Sequence, residues 1–114
     1  MAYPTDEAGR QQLADELTAK GLKPTQVKQC FSRVKLDKMI TAMQNGTFDW
    51  NKASLQPIIL GPAGEVLGGH HRVVASHLAG VDLTAIPGAR PQVQTVSQSF
   101  RVAYDWIDVL PEVQ

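Results

Sequence analysis

The run Gly68-Gly69-His70-His71-Arg72 sets two glycines, two imidazoles and a guanidinium side by side, directly ahead of the apolar Val73-Val74-Ala75 and twelve residues before Gly80. A helix that starts here carries unsatisfied amides and the positive end of its dipole at that start, which suits an oxyanion. Glycine lets main chain approach such a ligand closely. Arg72 can fork two phosphate oxygens while amides take others. An imidazole titrates near neutral pH, so of His70 and His71 one can hydrogen-bond a phosphate and the other carry a proton, in an order the residues leave open. The phosphate-binding set is therefore Gly68, Gly69, His70, His71 and Arg72. Glu65 and Asp49 are the carboxylates that could orient an imidazole or activate a hydroxyl, which makes His71, His70, Glu65 and Asp49 the catalytic candidates.

Three histidines also raise the question of zinc. On a helix His70 and His77 stand roughly 10 Å apart along the axis, too far to share a metal bound at about 2 Å per ligand. His70 and His71 diverge by about 100°. No structural metal is expected, while Mg2+ held mainly by ligand phosphates stays compatible. Helical projection groups His70, Val73, Val74, His77 and Leu78 on one face and turns Arg72 and Ser76 the other way. His77 is expected to be a core or interface histidine with one hydrogen-bonded nitrogen.

The elements that must position these groups follow from pattern. Leu55 to Leu60 reads as a strand, Gly61-Pro62-Ala63-Gly64 as a turn, and Glu65-Val66-Leu67 as the returning strand of a hairpin that feeds the helix. Upstream, Asp6 to Lys20 predicts a surface helix stopped by Gly21. Pro24 near a first helical position, with Val27, Cys30, Phe31 and Val34 along one face, predicts a second helix with Cys30 as an inert buried thiol. Leu36 to Gln44 predicts a third, stopped by Asn45-Gly46. Thr47 to Asn51 reads as a loop in which Asp49 or Trp50 could line a pocket. Downstream, Val81 to Pro87 reads as a short strand returning to the sheet, 90–99 as an exposed strand or irregular segment, and 100–110, rich in aromatic and aliphatic residues, as a tail docked on the domain.

At this point the chain resembles the ParB/sulfiredoxin superfamily, whose core runs from an "L-x-P-I" strand through a hairpin into a "G-x-H-R" helix start. The match is Leu55 to Ile58, Gly69 to Arg72, then Ala75 and Gly80, within residues 34–88. The resemblance implies an α+β fold: a small mixed sheet, a hairpin leading into the motif helix, and flanking N-terminal helices. One domain, 1–114, is expected, with N-terminal helices over 1–33, the core over 34–88 and a docked segment over 89–114. It further implies a phosphate ligand at the helix start, from a nucleotide such as ATP, ADP or CTP or from nucleic acid. Family activities narrow by residue type. Sulfiredoxin-like repair needs a thiolate where this chain has His70, and the one cysteine, Cys30, lies far upstream. Partition proteins continue into a helix-turn-helix region, whereas this sequence ends at Gln114.

Composition bounds the rest. A chain of 114 residues with 43% hydrophobic and 19% charged residues has the usage of a globular domain rather than a disordered tail. A formal net charge of zero gives no long-range pull toward nucleic acid or an anionic membrane, so any such contact must be local. One cysteine and no long apolar run point to a cytoplasmic setting without a membrane partner. Three readings follow: an enzyme that cleaves a phosphodiester or transfers a phosphoryl group, a nucleotide-binding switch without turnover, and an interaction module that has kept only the fold. Stand-alone domains resembling this one also occur as cargo of secreted bacterial toxins, and that version of the enzyme reading implies delivery by a parent secreted protein and an immunity protein as partner.

Overall fold

A computed structural model describes residues 2–53, 56–86, 88–94 and 102–112. Leu55, Pro87, residues 95–99 and Phe100 lie outside the described residues, and with them the first position of the "L-x-P-I" motif. Among the described residues the chain forms five helices and a four-stranded mixed sheet, a small α+β domain.

Helix α1, Glu7–Ala19, starts where the Asp6 carboxylate accepts the Gly9 N–H at 2.7 Å. Its buried face is Arg10, Leu13, Ala14 and Leu17. The chain then enters β1, Lys23–Pro24, where a second helix was expected. Proline lacks a donor, which suits an edge strand as well as a helix start, and here the strand wins because β1 pairs with β3 in parallel register, Pro24 opposite Val66. The outer side of β1 is covered by the C-terminal tail, whose Tyr104 N–H donates to the Pro24 carbonyl at 2.8 Å. Only Lys28–Cys30 forms a 3-10 turn, so Cys30 is exposed, as are Val27 and Val34, and Phe31 alone of that expected face is buried.

Helix α2, Arg33–Asn45, is capped by Ser32 Oγ, which accepts the Lys35 N–H at 3.2 Å, and ends at Gly46. It buries Leu36, Ile40 and Met43. Within the expected loop after it, Trp50–Ala53 makes a single turn, α3, because Asp49 Oδ1 accepts the Lys52 N–H at 3.0 Å. The hairpin forms as the turn residues require. Strand β2, Ile59–Leu60, and β3, Glu65–Gly68, are antiparallel across Gly61–Gly64. Ile59 faces Gly68 but Leu60 faces Val66, so Leu67 is the extra residue of a bulge that re-aims the chain entering the next helix.

That helix, α4, spans His70–Ala79 between Gly69 and Gly80. Four consecutive residues, Val73 to Ser76, are buried, so α4 is enclosed on more than one face, and the side to which projection turns Ser76 is covered as well. The Ser76 hydroxyl is satisfied by donating to the Val73 carbonyl at 2.9 Å. Helix α2 packs along it. The expected strand over 81–87 is replaced by a 3-10 turn, Leu83–Ala85. Asp82 Oδ1 accepts both the Thr84 N–H and its hydroxyl, at 2.9 and 2.7 Å, a local alternative that outcompetes a ladder. The fourth strand is instead β4, Gln92–Val93, parallel to β2, which gives the order β1-β3-β2-β4. Both outer strands thus come from outside residues 34–88.

The tail docks through α5, Trp106–Val109, with Trp106, Val109 and Leu110 buried in the common core. Buried Arg10 joins this tail to α1. Its Nη1 donates to the Ile107 and Leu110 carbonyls at 2.7 and 3.2 Å, and its Nη2 to Glu7 Oε1 at 2.6 Å. Arg10→Met keeps the apolar stem but strands those carbonyls. A loss of about 1–3 kcal/mol in urea denaturation is expected; an unchanged midpoint would mean that water replaces the guanidinium at no cost.

Candidate functional site

The start of α4 is shaped by Gly69, which adopts φ 82° at the N-cap position. A Cβ there would sit 2.8 Å from Ile58 Cγ1 and 3.2 Å from Arg72 Nη2. The guanidinium of Arg72 therefore folds back against the glycine that opens its own helix, at the rim where the sheet ends. Partial burial lowers Arg72 below the ordinary guanidinium value, yet the group stays charged at any working pH.

Beside it opens a recess of about 310 Å3 lined by Met39, Phe48, Asp49, Lys52, Gln56 and Arg72. Met39 comes from α2, Phe48 and Asp49 from the turn after it, and Lys52 from α3. Phe48 is backed by Trp50 with ring centroids 4.5 Å apart. One wall is apolar; two cations, one carboxylate and one amide make up the rest.

Of the expected site residues, Arg72 and Asp49 meet in this recess. The histidines do other work. His70 is buried, with the Thr25 N–H donating to its Nε2 at 3.1 Å and the Phe31 ring edge-on at 5.8 Å. His71 is half-buried, with the Ser32 N–H donating to its Nε2 at 2.9 Å and the Phe31 ring at 5.4 Å. A nitrogen that accepts an amide proton carries none of its own, so both neutral rings keep their proton on Nδ1. Burial, aided by the Lys35 ammonium, lowers His71 below its ordinary value. Glu65 is elsewhere: its carboxylate curls over the hairpin turn to accept the Ala63 N–H at 2.8 Å, roughly 10 Å up the strand from Gly68. The structure therefore does not bring Glu65 to the helix start.

His77 pairs with Glu16 of α1, Nε2 to Oε1 at 2.7 Å, as an interface histidine. It borders a larger recess of about 610 Å3 at the far end of α4, whose walls include Leu17, Leu22, Leu60 and Leu83 with Lys20 facing Asp82 at the rim. That recess is bigger but sets the single ammonium of Lys20 against the Asp82 carboxylate, whereas the smaller one holds two permanent cations and one carboxylate, so the smaller one is the better anion site. Among the described residues no three of His, Cys, Asp and Glu gather as metal ligands.

Comparison with protein-family models, with curated proteins and with solved structures gives no match. Lys52, Gln56 and Phe48 were missed from the sequence. For Lys52 a signal existed, since an aspartate three residues ahead marks a helix start that would present both side chains together. No helix among the described residues is long and apolar enough to cross a membrane.

Proposed function

We propose that this domain binds the phosphate of a nucleotide or a nucleic-acid strand in the recess at the start of α4, with Arg72 and Lys52 as its cations. The observation that carries this reading is the position of Arg72, held against Gly69 and lining the same recess as Lys52. A guanidinium and an ammonium on one recess can share a phosphate through charge-assisted hydrogen bonds, while Gly68, Gly69, His70 and His71 of the expected set are not among the residues that line it. The resemblance of Gly69 to Arg72 to the ParB/sulfiredoxin motif supports the same ligand. Met39 and Phe48 supply an apolar wall for the uncharged part, and about 310 Å3 is at the small end of ligand pockets.

Thermal-shift measurements with ATP, ADP, CTP and inorganic phosphate test it. A ligand at about 100 times its Kd adds about 2.7 kcal/mol to the native state, a rise on the order of 10 °C for a domain of this size. No rise with any of the four at millimolar concentration would favour the interaction module.

Asp49 in that recess favours a second reading, turnover, in which its carboxylate activates a hydroxyl or water toward the bound phosphorus. Asp49 is also the one carboxylate among the lining residues that could contact a phosphate-held Mg2+. Asp49→Asn, which keeps an acceptor for the Lys52 N–H, is expected to abolish cleavage of plasmid, RNA or labelled nucleotide while leaving the thermal shift intact. Equal turnover in the variant would remove Asp49 from the chemistry.

A further inference from the structure

His70 and His71 are consecutive, yet their Nε2 atoms hold the two ends of one segment. Thr25 N–H donates to the first and Ser32 N–H to the second, at 3.1 and 2.9 Å. Between these anchors lie the 3-10 turn Lys28–Cys30 and Phe31, whose ring contacts both imidazoles. Thr25 also ties this segment to the sheet, its hydroxyl donating to the Val66 carbonyl at 2.7 Å and lying 3.4 Å from His70 Nε2. Ser32 is the N-cap of α2, and its main-chain N–H is a donor that a capping-box side chain within the helix would otherwise accept. Here His71 accepts it from another helix.

An imidazolium has two donors and no acceptor. Protonating either ring therefore sets N–H against the main-chain N–H it had accepted and removes that hydrogen bond. We propose that His70 and His71 form an acid-sensitive latch on residues 25–32, closed when both rings are neutral and opened when either is protonated, with the rest of the domain still folded.

The groups around His71 favour the closed state near neutral pH. From α2, Lys35 bears on His71 and opposes its protonation, as does burial. Arg33, also on α2, is engaged with Asp37 and lies over the Tyr3 ring. From the segment itself, Lys28 is paired with Glu112. Arg72 follows His71 on α4 as a permanent positive charge. No carboxylate among the described residues acts on His71. With the bound-state value of His71 lowered, the closed latch is fully favoured above the free imidazole value of about 6.5 and loses ground as pH falls below it, because the released state then binds more protons.

The chain's one cysteine, Cys30, sits exposed inside the segment and serves as the reporter. A nitroxide on Cys30 should gain mobility several-fold as pH falls from about 7.5 to about 4.5, while the helical circular-dichroism signal persists. In a His70→Gln/His71→Gln variant, whose side-chain carbonyls accept the same N–H groups but do not titrate, the mobility should stay low and flat. Amide hydrogen exchange in the unsubstituted protein supplies a second readout, with Thr25 and Ser32 expected to lose protection on acidification relative to the α4 core amides. A mobility transition of equal size in the glutamine variant would overturn the latch. So would protection lost at the same rate across Thr25, Ser32 and the core, or loss of helical signal at the midpoint of the mobility change.

Discussion

Gly64→Ala should lower the unfolding free energy by about 2–5 kcal/mol, the sum of a left-handed backbone penalty and a backbone clash. Gly64 closes the hairpin at φ 88°, and an added Cβ would lie 1.9 Å from the Gly21 carbonyl oxygen. That neighbour is main chain, not a side chain that can swing away. The Gly64 carbonyl also accepts the Lys23 N–H at 3.0 Å, so the turn after α1 and the hairpin turn are joined at this point. Displacing either one pulls β1 from β3. Gly46→Ala and Gly80→Ala share the positive φ but meet nothing within 4 Å, and so isolate the conformational part, about 1–2 kcal/mol. Equal urea midpoints for all three variants would show that the contact between the turns is not tight in solution.

Arg72→Gln is expected to weaken the phosphate ligand by about 10–100-fold, the loss of charge-assisted hydrogen bonds worth about 1.5–3 kcal/mol. Lys52→Gln should cost less, because Lys52 is exposed and its pairing is screened by salt. The two therefore differ in salt response. Raising ionic strength should narrow the difference between wild type and Lys52→Gln, while the Arg72→Gln deficit, which rests on fork geometry beside Gly69, should persist. Titration of the best nucleotide from the thermal-shift series measures both. If Arg72→Gln binds as tightly as wild type, the recess is not the phosphate site and the reading built on it fails. The latch on residues 25–32 would be untouched, since it needs no ligand.

Several parts of this molecule could be read along the chain because their causes are local. Asp6 and Gly21 bracket α1, Gly46 ends α2, whose Ser32 cap lay inside the helix expected from Pro24, and the Gly61–Gly64 turn folds the hairpin into α4. Each depends on hydrogen bonds or backbone preferences within a few residues. Local reading also failed for local reasons: Asp82 bonding to Thr84 turns 83–85 into a 3-10 turn, and Pro24 fits a strand edge as readily as a helix start. Cys30 was misplaced because a helix that would bury it never forms.

Of the cluster Gly68 to Arg72, Arg72 stands in the first turn of α4 and lines the recess, the place its position in the chain suggested. The fates of its neighbours were not legible, because hydrogen-bond partners distant in sequence leave no periodic trace. Thr25 and Ser32 claim the acceptor nitrogens of His70 and His71, the hairpin turn claims Glu65, and α3 carries Lys52 to the recess of Arg72. Residue types and spacing set which groups could bind an oxyanion or move a proton. Which of them remain to do so depended on packing, since a buried main-chain donor must find an acceptor and takes the nearest imidazole.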